Sequence, residues 1–321
     1  MGDTVQIQPG ELMRATYRSL RLSMIALILM LGFAILWQAA ISEWRFQTSI
    51  SAYFYTGVHP VFIGALCALG ALLMAYKGST RVEDVLLNFS GYFAFFVAFI
   101  PCRRPDPIYG PGALPETFPA DTDIEIAVAA AFVVGLLGLA LWGFTSDWRS
   151  VGGSVIDVAH MSLGPTSIAV DLAWLARIGG WVITLILFGL YIWDREALTD
   201  YGHYIAAIGM FVGLGMVVAY NAVMGALVNA ERNGTSVAAE IRQGRPLIYA
   251  ALAFGMELAV IVAVVLGALG HGSSPHGLIS VEAVLLILFA IAWAVQSHEL
   301  WDEGPRPVVV PTADDGDSPE P

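Results

Sequence analysis

The sequence predicts an all-α, polytopic transmembrane helix bundle of about eight spans, and three observations carry that expectation. The 321 residues are 57% hydrophobic and only 13% charged, with a mean hydropathy of +0.70, against about 25% charged in an ordinary globular domain. The apolar residues fall into runs of about 20 separated by polar breaks, the length that crosses a hydrocarbon core about 30 Å thick at 1.5 Å per residue. Lysine and arginine are distributed unevenly among the breaks.

The runs place spans at Leu22 to Ile41, His59 to Tyr76, Val85 to Pro101, Ile124 to Phe144, Trp174 to Trp193, His203 to Asn229, Leu247 to Gly270 and Leu278 to Gln296. The first run is long, begins well inside the chain and has no small-residue cleavage site after it, so it reads as a retained helix rather than a signal peptide. This divides the chain into a cytoplasmic N-terminal segment 1–21, a transmembrane domain 22–297 and a tail 298–321. The tail is Pro-rich and acidic, holding Asp302, Glu303, Asp314, Asp315, Asp317 and Glu320, and this composition predicts disorder. It also supplies much of the formal charge of -12.

With the N-terminus inside, the inner segments hold Arg14, Arg18, Arg21, Lys77, Arg81, Arg149, Arg177, Arg232, Arg242, Arg245 and Arg306, eleven of the 15 basic residues. The outer loops hold Arg45, Arg103, Arg104 and Arg195, the remaining four. Positive residues are retained in the cytoplasm, so both termini are expected there, in the plasma membrane. Trp44, Trp142, Trp148, Trp174, Trp193 and Trp301 lie at or near predicted ends, the headgroup level that amphipathic rings prefer. Gly209 and Gly213 form a GxxxG pair in the sixth span, a spacing that lets two helices approach closely within the bundle. The connection from Thr145 to Ala173 contains Gly152, Gly153, Gly164 and Pro165, which argue against one continuous helix and for a short interfacial piece.

Several chemistries lack their residues. There is no GxxxxGK[ST] loop for ATP, no GxSxG elbow for a serine nucleophile and no HExxH or HxxxH pair for a metal. A late-helix lysine for a retinal Schiff base is also missing, since Lys77 is the single lysine. No cofactor and no metal are therefore expected. Neither is nucleic-acid binding, because no basic stripe or stacking platform lies outside the apolar runs. Cys67 and Cys102 fall at different depths and are not expected to pair.

Glu257 lies ten residues into the seventh run, about 15 Å below the surface at helical rise. An ionised carboxylate there costs several kcal/mol, so it must be protonated, paired or facing water. It is either a proton or cation relay in a transporter or a neutral acid bonded to a neighbouring helix through Asn221 or Tyr220. Glu282, about one turn inside the last span, is either a snorkelling or capping residue or part of an outward-facing polar site. Its candidate companions are Ser49, Ser51, Tyr53, Tyr55 and His59 before the second span, Arg103, Arg104 and Asp106 after the third, and His271 and His276 before the last. His160, His203 and His298 fall at predicted loops or ends and read as solvated.

The stretch Ser49-Ile50-Ser51-Ala52-Tyr53-Phe54-Tyr55-Thr56, with Val61 to Leu66 and Ala75-Tyr76-Lys77-Gly78 after it, resembles a group of uncharacterised prokaryotic multi-pass membrane proteins. Those share an SISxY[YF]YT stretch, a VF[VI]GxL helix start and a Y[KR]G helix end. Phe99-Ile100-Pro101, and Glu282 with Phe289 and Trp293 in the last span, are similar to further parts of that pattern. The resemblance covers about half of the chain and implies a fold and a membrane location, with no activity or ligand. The group has about six spans, so the region from His203 to Gly270 looks like an addition. Glu282 and Ser49 to Thr56 lie within the shared pattern and Glu257 lies outside it.

The functional expectation is an integral membrane protein, most concretely a small-solute or proton-coupled transporter. The alternatives are an enzyme acting on a lipid or lipid-linked substrate at the outer leaflet, and an accessory subunit without its own site. Expected partners are the bilayer, a small solute or lipid, and further copies or other membrane subunits.

Overall fold

A computed structural model describes residues 9–145, 158–163, 166–269 and 277–301. Its helices are α1 (Pro9–Ile41), α2 (His59–Ala75), α3 (Arg81–Phe99), α4 (Asp121–Thr145), α5 (Leu172–Trp193), α6 (Arg195–Asn233), α7 (Val237–Glu240), α8 (Gly244–Leu269) and α9 (Gly277–Glu299). A 3-10 turn, Ser51–Tyr55, precedes α2. Each of the eight expected spans is a helix. Six helices, α1, α3, α5, α6, α8 and α9, are long and apolar enough to cross a membrane. The shorter apolar α2 has 17 residues and the apolar α4 has 25.

Two helices outrun the sequence expectation. α1 begins at Pro9 and α6 at Arg195, because polar residues such as Arg14, Arg18 and Glu196 interrupt an apolar run without interrupting a helix. The α6 start is set by Asp194, whose Oδ1 accepts the Ala197 N–H at 3.0 Å, and its end by Gly234 at φ +65°. Between α4 and α5, where a short interfacial piece is expected, a two-stranded antiparallel hairpin pairs β1 (Val158–Leu163) with β2 (Thr166–Asp171). The Gly- and Pro-containing tail 302–321 and His271 and His276 lie outside the described residues.

α6 is the central helix, packed against α3 on one side and α8 on another, with α2 on α3 and α9 on α8. Its glycines make this possible. A Cβ on Gly209 would press on Phe93 and Ile183, one on Gly213 would collide with Ser90 Oγ, and one on Gly215 with the Glu257 carboxyl. The GxxxG pair therefore packs within the molecule, against α3 and α5. α2 and α3 cross as closely: a Cβ on Gly70 would stand 2.5 Å from the Gly91 carbonyl oxygen. The outward surfaces of α1, α5 and α8 expose Leu29, Phe33, Leu185, Phe254 and Ile261, the pattern of helices facing hydrocarbon rather than water.

Candidate functional site

Two polar clusters are buried in the bundle, one at each end. They are called here the Ser51 end, where α1 finishes, and the Arg21 end, where it begins.

At the Ser51 end the chain leaves α1, passes through Gln47 and Ser49, and makes the 3-10 turn before entering α2. A turn start leaves backbone N–H groups without partners, and side chains supply them. Ser49 Oγ accepts the Ala52 N–H at 3.0 Å. Glu282, half-buried in the first turns of α9, accepts the Ile50 N–H through its carboxylate. The Ile279 N–H donates to the Thr48 carbonyl at 3.1 Å, fixing α9 to the same loop. Glu282 is thus a cap on the turn, the capping alternative of the sequence expectation.

His203 completes this cluster and corrects one expectation. It is 2% exposed rather than solvated, because α6 starts eight residues earlier and carries it about 12 Å into the bundle. Its Nδ1 lies 2.7 Å from the Ile100 carbonyl oxygen and its Nε2 lies 2.8 Å from Ser51 Oγ. A carbonyl only accepts, so Nδ1 carries the hydrogen; in the neutral ring Nε2 then accepts the Ser51 hydroxyl proton. Ser51 is only half-buried. No single local motif announces this pair, whose members are 152 residues apart.

The remaining outer candidates divide. Tyr53 is fully buried and its hydroxyl receives the Gln47 N–H at 3.4 Å. Burial raises its phenol pKa above the ordinary 10. Tyr55 donates to the Cys102 carbonyl at 2.6 Å, and burial, reinforced by the nearby Cys102 thiol, raises its pKa. Burial and the Glu282 charge likewise raise the Cys102 thiol, so it stays protonated. His59 points elsewhere: its Nδ1 lies 2.8 Å from the Phe54 carbonyl, and its ring stands edge-on to Phe54 and Phe118. Arg103 lies at the surface, 3.7 Å from Asp200, outside the cluster. Arg104 packs over the Tyr55 ring and donates to the carbonyls of Leu114 and Pro115. The segment after α3 is tied down across this end, since Gln47 exchanges two amide hydrogen bonds with the Tyr109 backbone and Gln38 donates to the Pro111 carbonyl.

At the Arg21 end five helices, α1, α3, α6, α8 and α9, and Tyr76 just past α2 bring polar side chains together. Arg21, 0% exposed, donates to the Tyr76 hydroxyl through Nε at 3.1 Å and Nη2 at 3.0 Å, and to the Leu300 carbonyl. Tyr76 stands edge-on to Trp293. Glu83, 2% exposed in the first turn of α3, accepts the Ser79 N–H at 2.8 Å and the Asn221 amide at 3.4 Å. Tyr249 donates to Glu299 at 2.6 Å. Between α6, α8 and α9 a small apolar cleft is lined by Val217, Asn221, Tyr249, Trp293 and Gln296, among others.

Glu257 belongs to neither cluster. From Gly244 to Glu257 is about 20 Å along α8, and from Glu257 to Leu269 about 18 Å, so it sits at mid-helix. Its Oε1 is buried against Gly215 without a hydrogen-bond partner. Asn221, one expected partner, is turned instead toward Glu83 and the Val217 carbonyl. Among the described residues no group of three or more His, Cys, Asp or Glu side chains converges as a metal site. Both cysteines are free. No family model, no curated protein and no solved structure matches this chain.

Proposed function

We propose that this multi-pass membrane protein crosses the plasma membrane eight times with both termini in the cytoplasm, and that it moves protons or a proton-coupled small solute with Glu257 as the exchangeable group. The observation that carries the transport reading is the Glu257 Oε1, buried at mid-helix with no partner. Ionisable residues buried in membrane helices are costly enough to mark ion and proton pathways, and a carboxyl oxygen with no fixed partner can exchange its proton without breaking a hydrogen bond. Gly215 opposite it makes room for the carboxyl, since a Cβ there would collide with it. For the span number, α2 adds about 26 Å of apolar helix, close to a thin hydrocarbon core, and α4 adds more.

The test is reconstitution in liposomes with a pH-sensitive dye inside, comparing wild type and Glu257→Gln across a solute panel. The expected result is pH-dependent flux in the wild type and none in the variant, with equal monodispersity in detergent. Equal proton fluxes from the two proteins would remove Glu257 from the mechanism. Cysteine labelling of intact cells tests the topology: 105–120 should label from outside and the tail after Glu303 only after permeabilisation.

The second reading, an enzyme acting on a lipid at the outer leaflet, is favoured by the Ser51 and His203 contact. It does not involve Glu257.

A further inference from the structure

We infer that Ser51 is a nucleophile activated by His203, and that it accepts an acyl group from a carboxylic ester at the membrane interface. Three features of the Ser51 end support this together. The first is the direction of the hydrogen bonds: the Ile100 carbonyl fixes the proton on Nδ1 at 2.7 Å, which leaves the Nε2 lone pair aimed at the Ser51 hydroxyl at 2.8 Å. This is the orientation a general base needs before a serine can attack, with a backbone carbonyl as the orienting group. The second is the difference in exposure. His203 is sealed in the bundle while Ser51 is half-buried, so the base is shielded and the nucleophile can be reached.

The third is the neighbouring anion site. The Ile50 N–H, next to Ser51, donates to a carboxylate, that of Glu282. An acyl oxygen entering beside Ser51 would compete with Glu282 for that donor, which is of the kind that stabilises developing negative charge on a carbonyl oxygen. Ser49, by contrast, is committed to capping Ala52 and does not face a base.

Depth selects the substrate class. His203 lies about 12 Å and Glu282 about 8 Å from the ends of their helices, and exposed Trp44 and Trp193 mark the same end. That is the boundary between headgroups and acyl chains, where the ester carbonyls of lipids are found. The step balances without a further reagent. As the Ser51 Oγ bonds to the acyl carbon, its proton passes to His203 Nε2; the alcohol leaves with that proton as its C–O bond breaks. Water then attacks the acyl-serine, giving one proton to His203 Nε2, which returns it to Ser51 Oγ. The products are a carboxylic acid and an alcohol.

The test uses the full-length protein in native vesicles and an alkyl fluorophosphonate, a probe that forms a stable bond only with an activated serine. Peptide mass spectrometry of the wild type should place the adduct on Ser51, and heat denaturation before exposure should abolish it. His203→Gln should slow labelling at least about 100-fold, the usual share of a general base, and Ser51→Ala should remove it. An unlabelled Ser51 in the folded wild type, or an unchanged labelling rate in His203→Gln, would overturn the assignment. Because the wild-type adduct is decisive by itself, the result does not depend on the variants folding.

Discussion

At the Ser51 end the buried polar side chains direct most of their hydrogen bonds to the backbone: Glu282 to Ile50, Gln47 to Tyr109, Tyr55 to Cys102, His203 to Ile100. At the Arg21 end they bond chiefly to one another, Arg21 with Tyr76, Asn221 with Glu83, Tyr249 with Glu299. Bonds to backbone hold an irregular turn in one shape and leave a side chain such as Ser51 poised on it. Bonds between side chains of different helices fasten those helices to each other. The first arrangement positions a group, the second sets the packing of the bundle, and substitutions at the two ends should fail in different ways.

The largest effect is expected at Arg21. Arg21→Met keeps the apolar length but removes a buried cation that donates to the Tyr76 hydroxyl and the Leu300 carbonyl; losing a hydrogen bond to a charged group costs about 1.5–3 kcal/mol for each bond. Membrane yield and thermal stability in detergent should fall sharply, and near-wild-type stability would show that the Arg21 end does not fasten the helices. Glu282→Ala should cost about 1–3 kcal/mol, the price of a buried donor left unsatisfied. Its distinctive outcome is local: hydrogen exchange at Ile50 should accelerate while the amides around Arg21 stay protected. Uniform acceleration throughout the bundle would erase the difference between the ends.

Tyr249→Phe should lose about 1 kcal/mol, since one hydrogen bond disappears without a change of shape. The smallest effect belongs to Glu240 in the short α7, beyond the Arg21 end. Hydrogen bonds from Thr235 and Asn233 hold its carboxyl below the ordinary value of 4.5. A lowered folded pKa means that its contribution is complete above the unfolded value and is lost as pH falls through the folded one. Glu240→Gln should therefore lower the unfolding temperature slightly at pH 7, with the difference from wild type vanishing in acid. A difference that persists at pH 3 would mean that the carboxylate's charge is not what ties this turn together.

Two sequence readings differ in how far they reached. Runs of about 20 apolar residues marked the eight long helices, because crossing hydrocarbon demands a continuous hydrogen-bonded helix with an apolar surface, and that demand is met residue by residue. The capping alternative for Glu282 was legible for the same reason, since a carboxylate near a helix start has few uses other than unpaired N–H groups or water. His203 was misread as solvated. The signal that α6 begins at Arg195, the capping Asp194, lies outside the apolar run that places the span, and a polar residue near the edge of an apolar run looks the same whether it meets water or Ser51.

The sequence alone determined the helical membrane class, the positions of the eight apolar segments and the place of Glu257 within one of them, all of which follow from local composition and helical rise. Only the tertiary structure decided that Asn221 turns to Glu83 rather than Glu257, that Arg103 stays at the surface, that Gly213 and Gly215 receive Ser90 and Glu257 on different faces of one helix, and that Ser51 meets His203. Each of those is a contact between residues far apart in the chain. Such contacts depend on how helices rotate and cross as their side chains interlock, and close packing selects one arrangement from many that the same apolar pattern would allow.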